Sequence, residues 1–454
     1  MPAFDDGDTV AAIATPPGRG AVAIVRLSGS AARAVASRIF RTPRPLVARV
    51  ATLGDVVDAA GVAIDRGLAL IFPAPHSYTG EDVVELHVHG SPAIARETLL
   101  AALAAGARAA TPGEFTRRAY LRGKLDLTAA EAVNDLIEAE GRSAARAALA
   151  RLSGGLAAEV DARRATLDDI AEELAASLDF PDEVDAPDAA ALARRLDDLD
   201  AGLGELAATW ETGLVLREGV AIAIVGPPNA GKSSLLNALL GSERALVSEA
   251  AGTTRDTIEE TLALGGGLAA RIIDTAGLRA SDDPLEAAGI ARSERALAAA
   301  TIVLVVVDGS QPLGAEARSI LVRTRARERV AVFNKSDLGR AGFDQRDPAE
   351  AAALSGCARD PHSVARIRAA LATRAGADRV DLARPHLGTA RQADAVLEAR
   401  RSLALARATL AAGDPIDLVA HDLVLARAAL AGITDRDADE TLLDAIFARF
   451  CIGK

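Results

Sequence analysis

The string Gly226-Pro227-Pro228-Asn229-Ala230-Gly231-Lys232-Ser233 limits the fold more than any other feature. It fits G-x-x-x-x-G-K-[ST] and lies between an apolar run, VAIAIV (220–225), and a helical one, SLLNALLG. A strand that ends in such a loop and continues as a helix turns backbone N–H groups toward phosphate oxygens at the helix N-terminus. In this pattern Lys232 reaches the β- and γ-phosphates and the Ser233 hydroxyl ligates Mg²⁺; Asn229, Ala230, Gly231 and Ser234 complete the cradle. A loop of this kind needs a sheet behind it. LAARIID (268–274), TIVLVVVD (301–308) and VAVFN (330–334) supply further strands, alternating with helical stretches to about residue 378. That alternation predicts a parallel sheet covered on both faces by helices.

Further elements follow in the order that a nucleotide site requires. Ala251-Gly252-Thr253-Thr254-Arg255-Asp256 offers Thr254 to complete a magnesium shell. Asp274-Thr275-Ala276-Gly277 ends a strand, with Asp274 beside the magnesium waters and the Gly277 N–H near the γ-phosphate. Asn334-Lys335-Ser336-Asp337 ends another. The Asp337 carboxylate can accept from both N1–H and the 2-amino group of guanine, a pair that adenine does not offer. Ser355-Gly356-Cys357 stands where a last base-contacting loop is expected, as a weaker match. The residue after D-T-A-G is Leu278, which cannot orient water as a glutamine there would. Asp282, Asp283 and Glu286 follow, and each reads equally as a solvated helix-capping charge.

Outside this block the texture changes. Residues 1–120 read as mixed α/β, with strands at AVAIVRL (21–27), LALIF (68–72) and VVELHVH (83–89) between Gly/Pro turns. From Leu125 to about Trp210 the signal is helical. Leu149, Leu152, Leu156 and Val160 are expected on one helix face, as are Leu167, Ile170, Leu174 and Leu178. Phe180-Pro181 should end a long helix. After Pro385 the chain is helical again. The predicted architecture is α/β and α: residues 1–120, a helical domain from 121–215 and 379–454, and a P-loop domain of the Ras-like kind, 216–378, inserted between its halves.

Composition excludes several alternatives. Two cysteines, Cys357 and Cys451, cannot build a disulfide framework, and the expected setting is the cytoplasm. No apolar stretch approaches the roughly 18–20 residues of a membrane span. A net charge of −12 argues against a chain that coats nucleic acid by bulk electrostatics, while leaving room for a local basic patch.

Taken with TPPGRG (15–20), RLSG (26–29), YTGEDVVELHVHG (78–90), TPGEFTRRAY (111–120), GKLDLTAAEAVNDLI (123–137), DFPDE (179–183) and the terminal FCIGK (450–454), the chain resembles the MnmE (TrmE) family of tRNA modification GTPases. The resemblance implies a GTP-hydrolysing enzyme that acts on the wobble uridine of tRNA. With an FAD-dependent flavoprotein, MnmG (GidA), it adds a (carboxymethyl)aminomethyl group at C5, using a one-carbon unit from 5-formyl- or methylene-tetrahydrofolate. It further implies a homodimer joined through folate-binding N-terminal domains, a heterotetramer with the flavoprotein, and hydrolysis stimulated by K⁺. Carried onto matching positions, Arg26, Glu85, Lys124 and Lys454 contact folate. Asn229, Ser248, Ala250 and Thr253 ligate K⁺, Ser233 and Thr254 hold Mg²⁺, and Glu249 lies in the same GTP-binding loop. Glu286 orients the attacking water, and Cys451 is the second catalytic candidate. Arg122 and Ala280 depart from the family pattern, where Asn and Glu are usual.

Several of these residues have plainer readings. Arg26 at the end of an apolar strand and Glu85 on an alternating one are also what a wet sheet face looks like. Cys451 between Phe450 and Ile452 is also a small core hydrophobe. His87 and His89 share a strand face without a third ligand. Arg391, Arg400, Arg401 and Arg407 form either a tRNA surface or a solvated helix face. The competing function is a ribosome-assembly GTPase switch without group transfer. A single P-loop and the lack of a G-x-x-G clamp in a basic context disfavour it.

Overall fold

The computed structural model describes residues 7–185, 187–241, 260–265, 267–273, 297–339, 353–377, 380–382, 384–435 and 438–454. They divide into two compact units. One takes Met1–Asn134, Leu152–Pro187 and Leu405–Lys454; the other takes Asp135–Arg151 and Asp188–Ala404.

The first unit is built on a sheet of β1 (Val10–Ile13), β2 (Val22–Ser28), β3 (Phe40–Arg41), β4 (Thr52–Val57), β5 (Ala63–Phe72), β6 (Val83–His89) and β7 (Arg108–Ala109), in the order β3-β4-β5-β6-β2-β1-β7. Its pairings are antiparallel except β1 with β7. The period of two in VVELHVH sends Val84, Leu86 and Val88 into the core with Ala23 and Leu27. The helices Ala32–Ile39 and Pro92–Ala104 contribute Val35, Ile39, Ala101 and Ala102 to the same core. Burying a side chain such as Leu27 or Leu86 contributes about 1.5–3 kcal/mol. The opposite face of β2 and β6 is left to Arg26, Glu85 and His87, all half-buried.

Helix Gly155–Asp179 of this unit packs along Ile416–Thr434, with Arg427 paired to Asp168. Leu156, Val160, Leu167, Ile170 and Leu174 lie on its buried side. One expectation fails here. Leu149 and Leu152 do not continue that stripe, because the preceding helix stops at Leu152 and Gly154 takes a left-handed φ of 85°. Leu149 is exposed. The long helix does end at Asp179, immediately before Phe180-Pro181.

The second unit holds a sheet ordered β13-β12-β11-β8-β10-β9, from β8 (Val220–Val225), β9 (Glu260–Gly265), β10 (Leu268–Ile273), β11 (Ile302–Asp308), β12 (Arg329–Asn334) and β13 (Leu354–Ser355). All pairings are parallel except β9 with β10. β9 has no counterpart among the strands expected from sequence. It is an edge strand, and its short alternation, Leu262 and Leu264 in, Thr261 exposed and Ala263 half-buried, gives a weak signal. The core is a continuous aliphatic set, including Ile222, Leu235, Ile272, Leu304, Val332 and Ile367, as a sheet covered on both faces demands.

Candidate functional site

The phosphate loop grows directly from the buried strand β8. Helix Lys232–Gly241 starts within the motif and sinks Leu235, Leu236 and Leu239 into the core, so its N-terminus is held at the strand's end. Asn229 is left-handed at φ 60°, a conformation asparagine tolerates better than most residues. Gly231, at φ 88°, lies so close to the Asn334 amide that any Cβ there would overlap it. That close approach is functional in form: Asn334 Nδ2 donates to the Ala230 carbonyl at 2.9 Å, and Asn334 Oδ1 accepts from Ala358 N–H at 3.2 Å. One buried asparagine therefore ties the phosphate loop to the loop after β13. Lys232 Nζ donates to the carbonyls of Gly226 (2.8 Å) and Pro227 (2.7 Å), and burial lowers its pKa. Ser233 and Ser234 are exposed beside it.

On the base side, Lys335 is held left-handed at φ 63°, and its ammonium meets Asp308 Oδ2 at 2.7 Å. Asp308 also accepts from Ser310 N–H and Oγ–H. Burial pushes the Asp308 carboxyl up, and the hydrogen bonds from Lys335 and Ser310 outweigh that and lower it. Asp308 was missed in the sequence; its signal was an acid ending an apolar strand just before Gly309-Ser310. Asp337 is exposed in a short 3₁₀ turn, Ser336–Leu338, that is pinned by Ser336 N–H donating to the Gly356 carbonyl at 3.1 Å. Ser355 is half-buried on β13, and Cys357 is buried, its sulfur accepting from Arg359 N–H. The structure thus gathers Asn229 to Ser234, Asn334, Lys335, Asp337 and 355–357 at the carboxyl ends of parallel strands, where α/β sheets bind ligands. Ser248, Glu249, Ala250, Ala251, Gly252, Thr253, Thr254, Asp274, Thr275, Ala276, Gly277 and Glu286 lie outside the described residues.

A second constellation occupies the N-terminal sheet. Arg26 and Glu85 are directly opposed across β2 and β6, Nε to Oε1 at 2.9 Å. The Arg26 guanidinium also lies over the rings of Tyr78 (5.8 Å) and Phe115 (5.7 Å) and donates to the Gly453 carbonyl. The C-terminal tail is what closes this group. Phe450 packs on Phe447 beside Tyr120 and Leu127, Ile452 bridges to Pro112, and Phe115 N–H donates to the Lys454 carbonyl at 3.1 Å. Gly453 turns with φ 98° against the Ile13 carbonyl, leaving no room for a Cβ. Burial, then the neighbouring Arg26 charge, lowers the Lys454 ammonium pKa. Arg26, Glu85 and Lys454 are brought together; Lys124 is exposed, donating to the Pro75 carbonyl at 3.3 Å. Cys451 is exposed on the tail and not part of the Phe450 core. His87 and His89 each take a carboxylate, Glu85 and Asp65.

Beneath the cluster lies a charge network that the sequence did not reveal. Arg118, fully buried, pairs with Asp8, Glu81 (3.1 Å) and Glu114 (2.9 Å). Arg108 reaches Asp8 and Glu114, and Arg122 reaches Glu81 at 2.7 Å. Among the described residues three carboxylates face these three guanidiniums, and pairing of this kind is what makes buried charge tolerable. Glu81 further accepts from Ser28, and Ser77 donates to its carbonyl, so the network sets the loop that carries Tyr78. The Arg122 departure noted in the sequence is a member of it.

Among the C-terminal arginines, Arg400 pairs with Asp200 and Arg401 with Glu398. No helix among the described residues is long and apolar enough to cross a membrane.

Residues 9–124 match the family described as GTP-binding protein TrmE N-terminus, and residues 127–451 match the MnmE helical domain. Full-length relatives bear the name tRNA modification GTPase MnmE. The protein of Moorella thermoacetica is 44% identical over 466 residues, spanning 98% of this chain and 99% of its own. That of Symbiobacterium thermophilum is 46% identical over 462 residues, with the same spans, and that of Chloroflexus aurantiacus 44% over 453, spanning 98% and 100%.

Proposed function

The chain belongs to the MnmE family of tRNA modification GTPases, and from that premise we propose that it hydrolyses GTP in step with modification of the tRNA wobble uridine. The observation that carries the nucleotide half is the Asn334 staple, which joins the phosphate loop to the base-side loop of Asp337 and 355–357. Lys232 neutralises the β- and γ-phosphates and Asp337 selects guanine. Ser233 holds Mg²⁺ together with Thr254, and Asn229, with Ser248, Ala250 and Thr253, holds K⁺. Glu286 orients the attacking water. Glu249, Ala251, Gly252, Asp274, Thr275, Ala276 and Gly277 complete the site.

The same reading gives residues 1–120 to folate binding and dimerisation, 216–378 to GTP, and 121–215 with 379–454 to the helical domain. The group of Arg26, Glu85 and Lys454 supports it: the Arg26 guanidinium and the Lys454 ammonium can meet a folate's anionic tail, and Glu85 can accept from a pterin's N–H donors. Lys124 adds a further cation. A tetrahydrofolate derivative supplies the one-carbon unit when bound. The exposed Cys451 thiol lies on the same tail as Lys454 and is the covalent candidate. The working form is a homodimer with the flavoprotein MnmG, in the cytoplasm.

The test is mass spectrometry of tRNA nucleosides from a strain lacking this chain, with and without complementation. Loss of the C5 substituent, restored by the wild type and not by Lys232→Ala, is expected. Unchanged wobble uridines would overturn the modification reading and leave the ribosome-assembly alternative. Calorimetry with magnesium should show GDP bound in preference to ADP.

A further inference from the structure

The second unit carries a strongly basic cavity that the nucleotide site does not use. Its volume is about 390 Å³, and Arg325, Arg327, Arg329 and Arg374 line it with Glu328. It lies where β12 begins, whereas the nucleotide loops follow where β12 and β8 end. Arg329 and Asn334 terminate the same strand, five residue steps or roughly 16 Å apart. This is a separate place on the domain.

The partners of these arginines show what the cavity can bind. Arg327 donates to the carbonyls of Leu297 and Ala300, and Arg329 to the Leu321 carbonyl and Thr324 Oγ1. Neutral oxygens such as those of Leu297 and Ala300 fix the Arg327 guanidinium without cancelling its charge. Arg325 is exposed, and Arg374 meets the Glu328 carboxylate at 3.1 Å with both side chains more than half exposed. Among the described residues the cavity wall holds four arginines and one carboxylate, in a chain whose net charge is −12. Such concentration raises the local affinity for polyanions that the remaining surface repels. Planar guanidiniums suit phosphate by bidentate hydrogen bonding. An open cavity with arginines at the alternating positions 325, 327 and 329 fits a run of phosphates better than a single small anion.

We propose that this cavity is an RNA phosphate-backbone site through which the GTPase sheet holds tRNA while the base is modified elsewhere. Arg327 and Arg329 form its fixed floor; Arg325 and Arg374 are the arms that close on phosphate. The proposal rests on the tRNA reading above.

The experiment uses the full chain and unmodified bulk tRNA, with fluorescence anisotropy between 50 and 200 mM KCl. The double variant Arg325→Gln/Arg374→Gln should bind several-fold more weakly at low salt. Its slope of log K against log salt should fall by roughly 1.5, since each neutralised phosphate carries about 0.7–0.9 of that slope. Arg325→Lys/Arg374→Lys should recover most of the slope, and GTP hydrolysis without RNA should be unchanged in both. An unchanged slope in the glutamine variant overturns the proposal, as does a wild type that binds tripolyphosphate at this cavity but not tRNA. Either failure leaves the nucleoside assay of the deletion strain untouched, so the tRNA reading stands or falls separately.

Discussion

Glu114 offers the sharpest test of how the N-terminal site is held. It opens the helix Glu114–Leu121 and accepts from Thr111 N–H (2.8 Å), Arg108 (2.7 Å) and Arg118 (2.9 Å). Burial alone would push its carboxyl up; the Arg108, Thr111 and Arg118 hydrogen bonds outweigh that and hold it at about 2 against an ordinary 4.5. At about 1.36 kcal/mol per pH unit, the ionised carboxylate contributes about 3 kcal/mol at neutral pH. Because the folded value is depressed, that stability is full above the unfolded value. It is lost as pH falls from about 5 toward 2, with about 1–2 kcal/mol gone by pH 3.5. Glu114→Gln should destabilise this unit by about 3 kcal/mol at pH 7, since it strips a partner from the buried Arg118. The gap between wild type and variant should then narrow by about 1–2 kcal/mol at pH 3.5. The single tryptophan, Trp210, belongs to the other unit, so its fluorescence would miss the effect. Hydrogen exchange of the β1 and β2 amides, corrected for intrinsic rates at each pH, reads it directly. Wild-type and variant curves that run parallel from pH 7 to 3.5 would refute the assignment of this titration to Glu114.

Asp337→Asn should weaken GDP binding at least tenfold in calorimetry, through loss of the charge-assisted pair to guanine, and should raise the affinity for xanthosine diphosphate, whose O2 accepts from an amide. Glu286→Ala should leave GDP binding within threefold while slowing single-turnover GTP hydrolysis by two orders of magnitude or more; a normal rate would move water positioning to another group. Hydrolysis should also fall when sodium replaces potassium at constant ionic strength, and equal rates in both salts would remove the cation from the mechanism. Gly453→Val forces a side chain against the Ile13 carbonyl at a left-handed φ, so the tail should detach. Proteolysis within 449–454 should accelerate, and folate affinity, measured by calorimetry, should drop with it.

The parts of this fold legible in the sequence are those whose cause is local. The strands at 220–225 and 83–89 stand as expected because an apolar run and a period-two alternation are each complete within six or seven residues. The helix end at Asp179 is as local as the proline two residues on. What escaped depends on a partner distant in the chain. Leu149 through Val160 has a helical period, and only the backbone turn at Gly154 separates the two helices beneath it. Arg118 reads as one arginine in a soluble helix until Asp8 and Glu81, 110 and 37 residues away, are folded around it. Asp308 gains its role only when Lys335 arrives just past the end of the neighbouring strand, 27 residues later. The same reasoning explains why FCIGK was legible as a motif but not as a surface. Nothing local says that a five-residue tail should cross 427 residues of sequence to place a glycine carbonyl on Arg26. An exposed strand-end arginine and a frayed C-terminus are the default when each is considered alone. Together they become one half-buried charge cluster, since the tail supplies both the wall that dries Arg26 and the second cation that needs an anion to answer it.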